Sequence, residues 1–353
     1  MNDASAPSDT MRAVRLHRPG DVRVESIPRP TTPADGQVPL RMRSVGLCGS
    51  DLHHYREGTT GGEVHSEPFV LGHEISAEVP DESADQLGLE PGGLVAVNPA
   101  HPCGECEWCA RGHPNLCPHV EFKGVVGDPG GLAERLTAHP HQVVPVPDDM
   151  GPDAAALLEP LGVAIHAVDL AEIQVMDTVA VLGAGPIGLL VAQVVQAVGA
   201  GECVIVDPLS YRTEVAEKLG ADRTATHHDA IEAWTGGRGA DVVIEATNAP
   251  EGFEHAVESV RIGGCIVLVG IPEGNEYGLT AAPARRKGIT VKFCRRMGEV
   301  YDRAIQLVTS GRVDLEPIVT HRVPLEEAPE ALALQSRYED NVIKAVVYHG
   351  RSD

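Results

Sequence analysis

The sequence predicts an α/β protein of two domains, one built on a doubly wound parallel sheet and the other smaller, β-rich and discontinuous in the chain. Three observations carry this expectation. Residues 178–207 read as a complete strand, glycine turn, helix and second strand. Strand and helix patterns then alternate to about Val291, as in a parallel sheet covered on both faces. Short strands punctuated by Gly and Pro precede this region, and 353 residues suffice for two cores.

Taken in order, the first ten residues are small and polar and predict a frayed tail. From Met11 to Leu47 the segments MRAVRL, DVRVESI and VPLRMRSVGL read as strands. Cys48, Ser50, Asp51, His53 and His54 then crowd a thiol, a hydroxyl, an acid and two imidazoles into seven positions, with His73 and Glu74 across a loop. A cysteine, a histidine and a carboxylate can bind one Zn²⁺ and leave a position for water or substrate. Cys103, Cys106, Cys109 and Cys117 follow, at a spacing that suits a closed four-thiolate zinc site stabilising a lobe at about 100–120. Residues from about Val120 to Pro147 again read as strands and turns. Asp153 to Asp169 predicts a helix, and Glu159 stands inside its apolar run, so it is either paired or at a site.

Val179–Leu182 is a short β-branched strand ending at Gly183, Gly185, Pro186, Ile187 and Gly188, the turn expected to bring a dinucleotide pyrophosphate to the start of a helix over 186–198. Asp207, 19 positions past Gly188, closes the next strand where a carboxylate meets the adenosine ribose. It argues for NAD over NADP, while Arg212 nearby is the residue type that accommodates a 2′-phosphate. Further strands are expected at 203–207, 241–246, 265–270 and 289–291, with helices near 210–219, 229–235 and 251–261. Val269 and Ile271 lie at the strand end that faces a nicotinamide, and Arg296 follows where the chain leaves the domain. Cys203, Cys265 and Cys294 read as apolar fillers. After Gly298 a helix, a strand around Val319, an Ala/Leu-rich helix and a last strand at 342–347 are too short for a domain and are expected to complete the first one.

Composition narrows the function classes. A net charge of −23 disfavours nucleic acid and anionic membranes as partners. No apolar run is read as approaching a membrane span, and no secretory leader is read at the start, so the cytoplasm is the expected compartment. Only 5 of the 28 basic residues are lysine, which fits either a GC-rich genome or adaptation to salt.

These motifs resemble the zinc-dependent medium-chain dehydrogenases over essentially the whole chain, and within them the sorbitol (polyol) dehydrogenases. The resemblance rests on CGSDLHHY at 48–55, PFVLGHE at 68–74, the four-cysteine lobe, EPLGVAIHA at 159–167, GAGPIG at 183–188 and GRVDLEPIVTHRVPLEEAPEA at 311–331. It implies a Rossmann domain at 159–296 and a GroES-like catalytic domain at 1–158 and 297–353, with two Zn²⁺ per subunit and NAD. Cys48 and His73 would bind the catalytic zinc, with Glu74 as a direct or exchanging ligand and Glu159 bound directly or through water. Ser50, the cofactor ribose and His53 would form the proton relay. Tyr55 and Arg296 would meet substrate, Arg296 also cofactor. Gly92-Gly93 and Thr247-Asn248 depart from the family pattern without touching a ligand. The reaction implied is oxidation of a polyol's secondary alcohol to a ketose by a homodimer or homotetramer. L-Threonine, 2,3-butanediol and sugar acids are the competing substrates, and a non-catalytic NAD- and zinc-binding protein is the alternative of a different class.

Overall fold

The computed structural model describes residues 10–30, 36–62 and 64–350, so the tail expected over residues 1–9 lies outside the described residues. The chain divides into two compact units. One takes the described residues up to Cys106, with Cys117–Glu159 and the chain from His321; the other takes Glu107–Leu116 and Pro160–Thr320.

The first unit is built on antiparallel strands. Val38–Gly46 is its hub, pairing with Glu74–Glu78, with Arg135–Ala138 and with the last strand, Lys344–Tyr348. That last pairing sets Val346 opposite Gly46, which makes the unit discontinuous in sequence. Leu40, Met42, Val45, Ile75, Val97, Leu136 and Val347 alternate into one apolar core, as one-sided burial of a sheet requires.

The second unit is a six-stranded, all-parallel sheet. Its strands, here β1 (Thr178–Leu182), β2 (Glu202–Val206), β3 (Arg223–Ala225), β4 (Ala240–Glu245), β5 (Val260–Leu268) and β6 (Thr290–Phe293), lie in the order 3-2-1-4-5-6 of a dinucleotide-binding sheet. All six residues of β4 are buried, as expected of a strand with helices on both faces. The helix Pro186–Val198 begins at a proline and ends at Gly199 in the left-handed region, φ 87°.

Three expectations change. The sequence pattern places the carboxyl-terminal return at residue 297, but the chain stays with the second unit to Thr320. The helix Tyr301–Thr309 is tied there by Arg303 on Asp169, and the segment after it by Asp314 N–H on Gln193 Oε1 at 2.7 Å. Glu159, assigned to the Rossmann domain, closes the first unit instead, and Pro160 opens the second. The expectation that no run approaches a membrane span fails for Pro152–Ala171, whose 20 residues are long and apolar enough by that test. Leu157, Leu158 and Leu161 are fully buried in the protein, which accounts for the apolar content. Short elements such as Gly49–Glu57, Asp81–Leu87 and Ala281–Lys287 were not read as helices because none carries a continuous apolar stripe.

Candidate active site

The strand Val38–Gly46 delivers Cys48 to the start of the helix Gly49–Glu57, where its extended backbone occupies the cap position. The buried Asp51 holds this corner. One carboxylate oxygen accepts from Cys48 N–H at 2.9 Å, and the other accepts from Gly72 N–H at 3.2 Å and lies 3.7 Å from His73 Nδ1. A single carboxylate thus fixes both segments that carry the predicted ligands. Gly72 turns the chain at φ 95°, where a Cβ would meet Val45 at 2.7 Å.

Cys48 and Glu159 both act on the His73 imidazole, each favouring its charged form. Burial opposes a charge on His73, but Asp51, Cys48 and Glu159 outweigh it and hold the ring well above its ordinary value. Burial likewise lifts Glu159 to about 7, against the pull of His73 and with Glu74 adding to the rise. Glu159 sits one residue before Pro160, which has no N–H to give to the turn above it. The buried imidazole and carboxylate and the partly buried thiol thus make an electronegative setting that suits a cation, and donors of these types fit Zn²⁺.

Glu74 has a different partner from the one expected. Both its oxygens accept from Lys344 Nζ, at 2.7 and 2.8 Å, and neither residue is more than 2% exposed. Burial alone would lower Lys344, but Glu74, with Cys48 and Asp51, holds its amine above the ordinary value. A Cβ on Gly46 would fall 1.9 Å from Glu74 Oε2, so glycine there admits the carboxylate. Lys344 also donates to the Leu47 carbonyl, which receives Gln335 Nε2 as well. This network lies directly behind Cys48 in the chain and makes Glu74 a buried counter-charge. Sequence reasoning missed Lys344 and the role of Asp51. The available signal was a lysine inside the apolar strand VIKAVVY, which is costly unless paired.

Ser50 Oγ lies 3.3 Å from His73 Nε2, and His53, three residues on along the same helix face, is paired through Nδ1 with Glu57 at 3.0 Å. Tyr55 is half-buried against the core of its unit. In the lobe, one sulfur from each of Cys103, Cys106, Cys109 and Cys117 lies within 4.8 Å of the others, and Cys103 and Cys117 approach to 3.5 Å. Around one ion with Zn–S bonds of about 2.3 Å, tetrahedral sulfurs stand roughly 3.8 Å apart, so this set fits zinc as well.

In the second unit, Gly183 has φ 96°, and a Cβ on Gly188 would fall 1.8 Å from the Gly183 carbonyl. The first allows the turn and the second the close packing of helix on strand; Gly185 has nothing nearer its missing Cβ than Arg212 Nη1 at 3.7 Å. Pro186 and Ile187 start the helix as expected. Asp207 caps the turn, accepting from Ala184 N–H at 2.8 Å and Leu209 N–H at 2.9 Å. Arg212 lies 3.6 Å from Asp207 and over the Tyr211 ring, so its guanidinium is directed at the carboxylate. Val269 N–H donates to the Glu245 carbonyl at the end of β4, with Ile271 two residues beyond. Arg296 is half-buried with a left-handed backbone, φ 53°. Cys203 and Cys294 are pushed up to about 12 by burial and are fillers.

The family described as alcohol dehydrogenase GroES-like domain matches residues 34–148, and that described as zinc-binding dehydrogenase matches residues 186–310. The sorbitol dehydrogenase of Bacillus subtilis is 33% identical over 346 residues, covering 97% of this chain and 98% of that protein. This chain is a zinc-dependent medium-chain dehydrogenase. Its place is in the sorbitol dehydrogenase branch. The sorbitol dehydrogenase of Gallus gallus is 35% identical over 336 residues, covering 93% of this chain and 94% of that one. Among solved structures, L-idonate 5-dehydrogenase from Escherichia coli superposes with a TM-score of 0.86 at 27% identity, covering 96% of this chain and 98% of the other. The family makes this medium-chain dehydrogenase an NAD-dependent alcohol dehydrogenase with zinc as its metal.

Proposed function

We propose that this enzyme oxidises a secondary hydroxyl of a linear polyol, of the sorbitol, xylitol or arabinitol type, to the ketose, reversibly and with NAD⁺. The observation that carries the reading is Glu159, a buried carboxylate that acts on the same His73 imidazole as Cys48. Cys48, His73 and Glu159 would hold the catalytic Zn²⁺, with Glu74 kept back by Lys344. Bound there, zinc supplies Lewis acidity that lowers the pKa of a substrate hydroxyl. NAD⁺ supplies the hydride acceptor, held by the turn at Gly183, Gly185, Pro186, Ile187 and Gly188 with Asp207 on the ribose.

The chain's own residues manage position and protons. Asp51 keeps Cys48 and His73 in register. Ser50, beside His73, would accept the proton a hydroxyl loses, and the cofactor ribose and then His53, in contact with the partly exposed Glu57, would pass it to solvent. Tyr55 and Arg296 are assigned to substrate, Arg296, Val269, Ile271 and Arg212 to the cofactor side, and the four-cysteine lobe to a structural zinc. By resemblance to its branch, the enzyme works in the cytoplasm as a homodimer or homotetramer.

A sugar acid is the second reading, favoured by the likeness to L-idonate 5-dehydrogenase. The two are separated by initial rates of NADH formation by zinc-loaded enzyme on sorbitol, xylitol, arabinitol, L-idonate, 2,3-butanediol and L-threonine. The proposal expects a polyol to give the highest kcat/KM. Turnover of L-idonate alone would replace the substrate and keep the site.

A further inference from the structure

The dinucleotide-binding unit carries a second group of metal-binding side chains, away from every residue used above. The turn after β3 presents His227, His228 and Asp229, and the helix Gly252–Ser259 presents His255 and Glu258. The last two are three residues apart and so share one helix face. His228 Nε2 is the focus: Glu258 Oε2 lies 2.9 Å from it and Asp229 Oδ1 3.4 Å. Donor atoms of His228, His255 and Glu258 fall within 4.8 Å of one another, and so do those of His227, His228 and Asp229. The His228 and His255 rings are stacked, with centroids 4.0 Å apart.

We propose that His228, His255, Glu258 and Asp229 form a third metal site, taking one divalent transition ion of the Zn²⁺ class and bracing the turn after β3 against the helix after β4. Imidazole and carboxylate donors in this ratio suit zinc, cobalt or nickel rather than magnesium or calcium, which prefer all-oxygen shells. The separations of 2.9 and 3.4 Å around His228 Nε2 are those of neighbouring donors on one ion with bonds of about 2.1 Å. Binding turns the His255 ring out of its stack so that its lone pair points at the same centre. His227, exposed at the edge, supplies a further donor or leaves that position to water.

Lys287 Nζ donates to the carbonyls of Val257, Glu258 and Val260, at 2.7, 2.8 and 2.6 Å, and so caps the helix end while also acting electrostatically on Glu258. The cluster contains no thiol, which separates it chemically from both sites of the first reading and gives its test a distinct signature.

Enzyme already loaded with its zinc and freed of excess metal would be titrated with Co²⁺. The expected result is one further equivalent per chain, with weak visible d–d bands and no thiolate-to-cobalt charge-transfer band. His228→Ala and Glu258→Gln should each weaken that equivalent at least tenfold while leaving dehydrogenase activity unchanged, which also certifies the fold. Absence of a further equivalent, or equal binding by both variants, would overturn the proposal. So would loss of that equivalent on His101→Ala, which would transfer it to the separate His101, Glu121 and His139 group.

Discussion

The four-cysteine lobe and the pocket at Cys48 both gather metal-binding side chains but are encoded in opposite ways. The lobe draws four identical donors from 15 consecutive residues, carried on turns and two short helices. The pocket draws three different donors from positions 48, 73 and 159, and surrounds them with a buried acid, Asp51, and a buried ion pair, Glu74 with Lys344. A closed site needs only its ligands, so local spacing specifies it. An open site must hold reactive groups in a low-dielectric pocket against their own repulsion, so the fold has to supply counter-charges from distant segments.

The comparison predicts separable failures. The largest concerns turnover: Cys48→Ala should lower kcat by about 10³-fold or more, equivalent to roughly 4 kcal/mol of transition-state stabilisation, while bound zinc falls by one equivalent per chain. Cys106→Ser should do the reverse, costing at least about 3 kcal/mol in denaturant unfolding with the activity of the surviving folded enzyme retained. Equal effects of the two variants on kcat would erase the distinction. Lys344→Met should cost about 3–5 kcal/mol of stability because it strands the buried Glu74 carboxylate, and Glu74→Gln on the same background should restore much of it. No recovery in the double variant would show that Lys344 matters for the Leu47 carbonyl alone.

A smaller effect tests the second unit by pH. Burial lifts Glu245 to about 7, against hydrogen bonds from Thr247 and Gly270. Its folded value therefore lies above that of the unfolded chain, where a glutamate titrates near its ordinary ~4.3. The unfolded state gives up its proton first as pH rises, so stability falls between about pH 4.3 and 7 and then levels off, by at most about 4 kcal/mol. In Glu245→Gln this part of the pH dependence should be missing from urea midpoints measured from pH 4.5 to 8. An unchanged slope would remove Glu245 from the account. Smallest of all, Asp207→Ala should narrow the preference for NAD over NADP by about tenfold, roughly 1.4 kcal/mol, in the ratio of the two kcat/KM values.

Legibility in the sequence followed the same division. The glycine turn, five of the six parallel strands and the cysteine spacing are local patterns that the chain shows directly; the short edge strand Arg223–Ala225 and the helix Ala281–Lys287 carry too little apolar pattern to show. Cys48 and His73 could be named because each lies in a short motif, but Asp51, which joins them, is merely one acid among polar neighbours. Lys344 stands 270 residues from Glu74, and no periodicity connects them. Glu74 therefore reads in the sequence as a direct or exchanging ligand with no sign of its counter-ion, which enters only when the last strand pairs with Val38–Gly46. The return of the chain was placed too early for a related reason: Asp314 and Arg303 find their partners, Gln193 and Asp169, across more than a hundred residues.

The central claim is that the pocket at Cys48 lets a secondary carbinol carbon give hydride to NAD⁺. It is tested most directly with sorbitol deuterated at C2 and mass analysis of the reduced cofactor. The account predicts fructose, deuterium in the NADH formed, a primary isotope effect on kcat/KM, and loss of the reaction in Cys48→Ala. Unlabelled NADH, or a full rate in that variant, would contradict it.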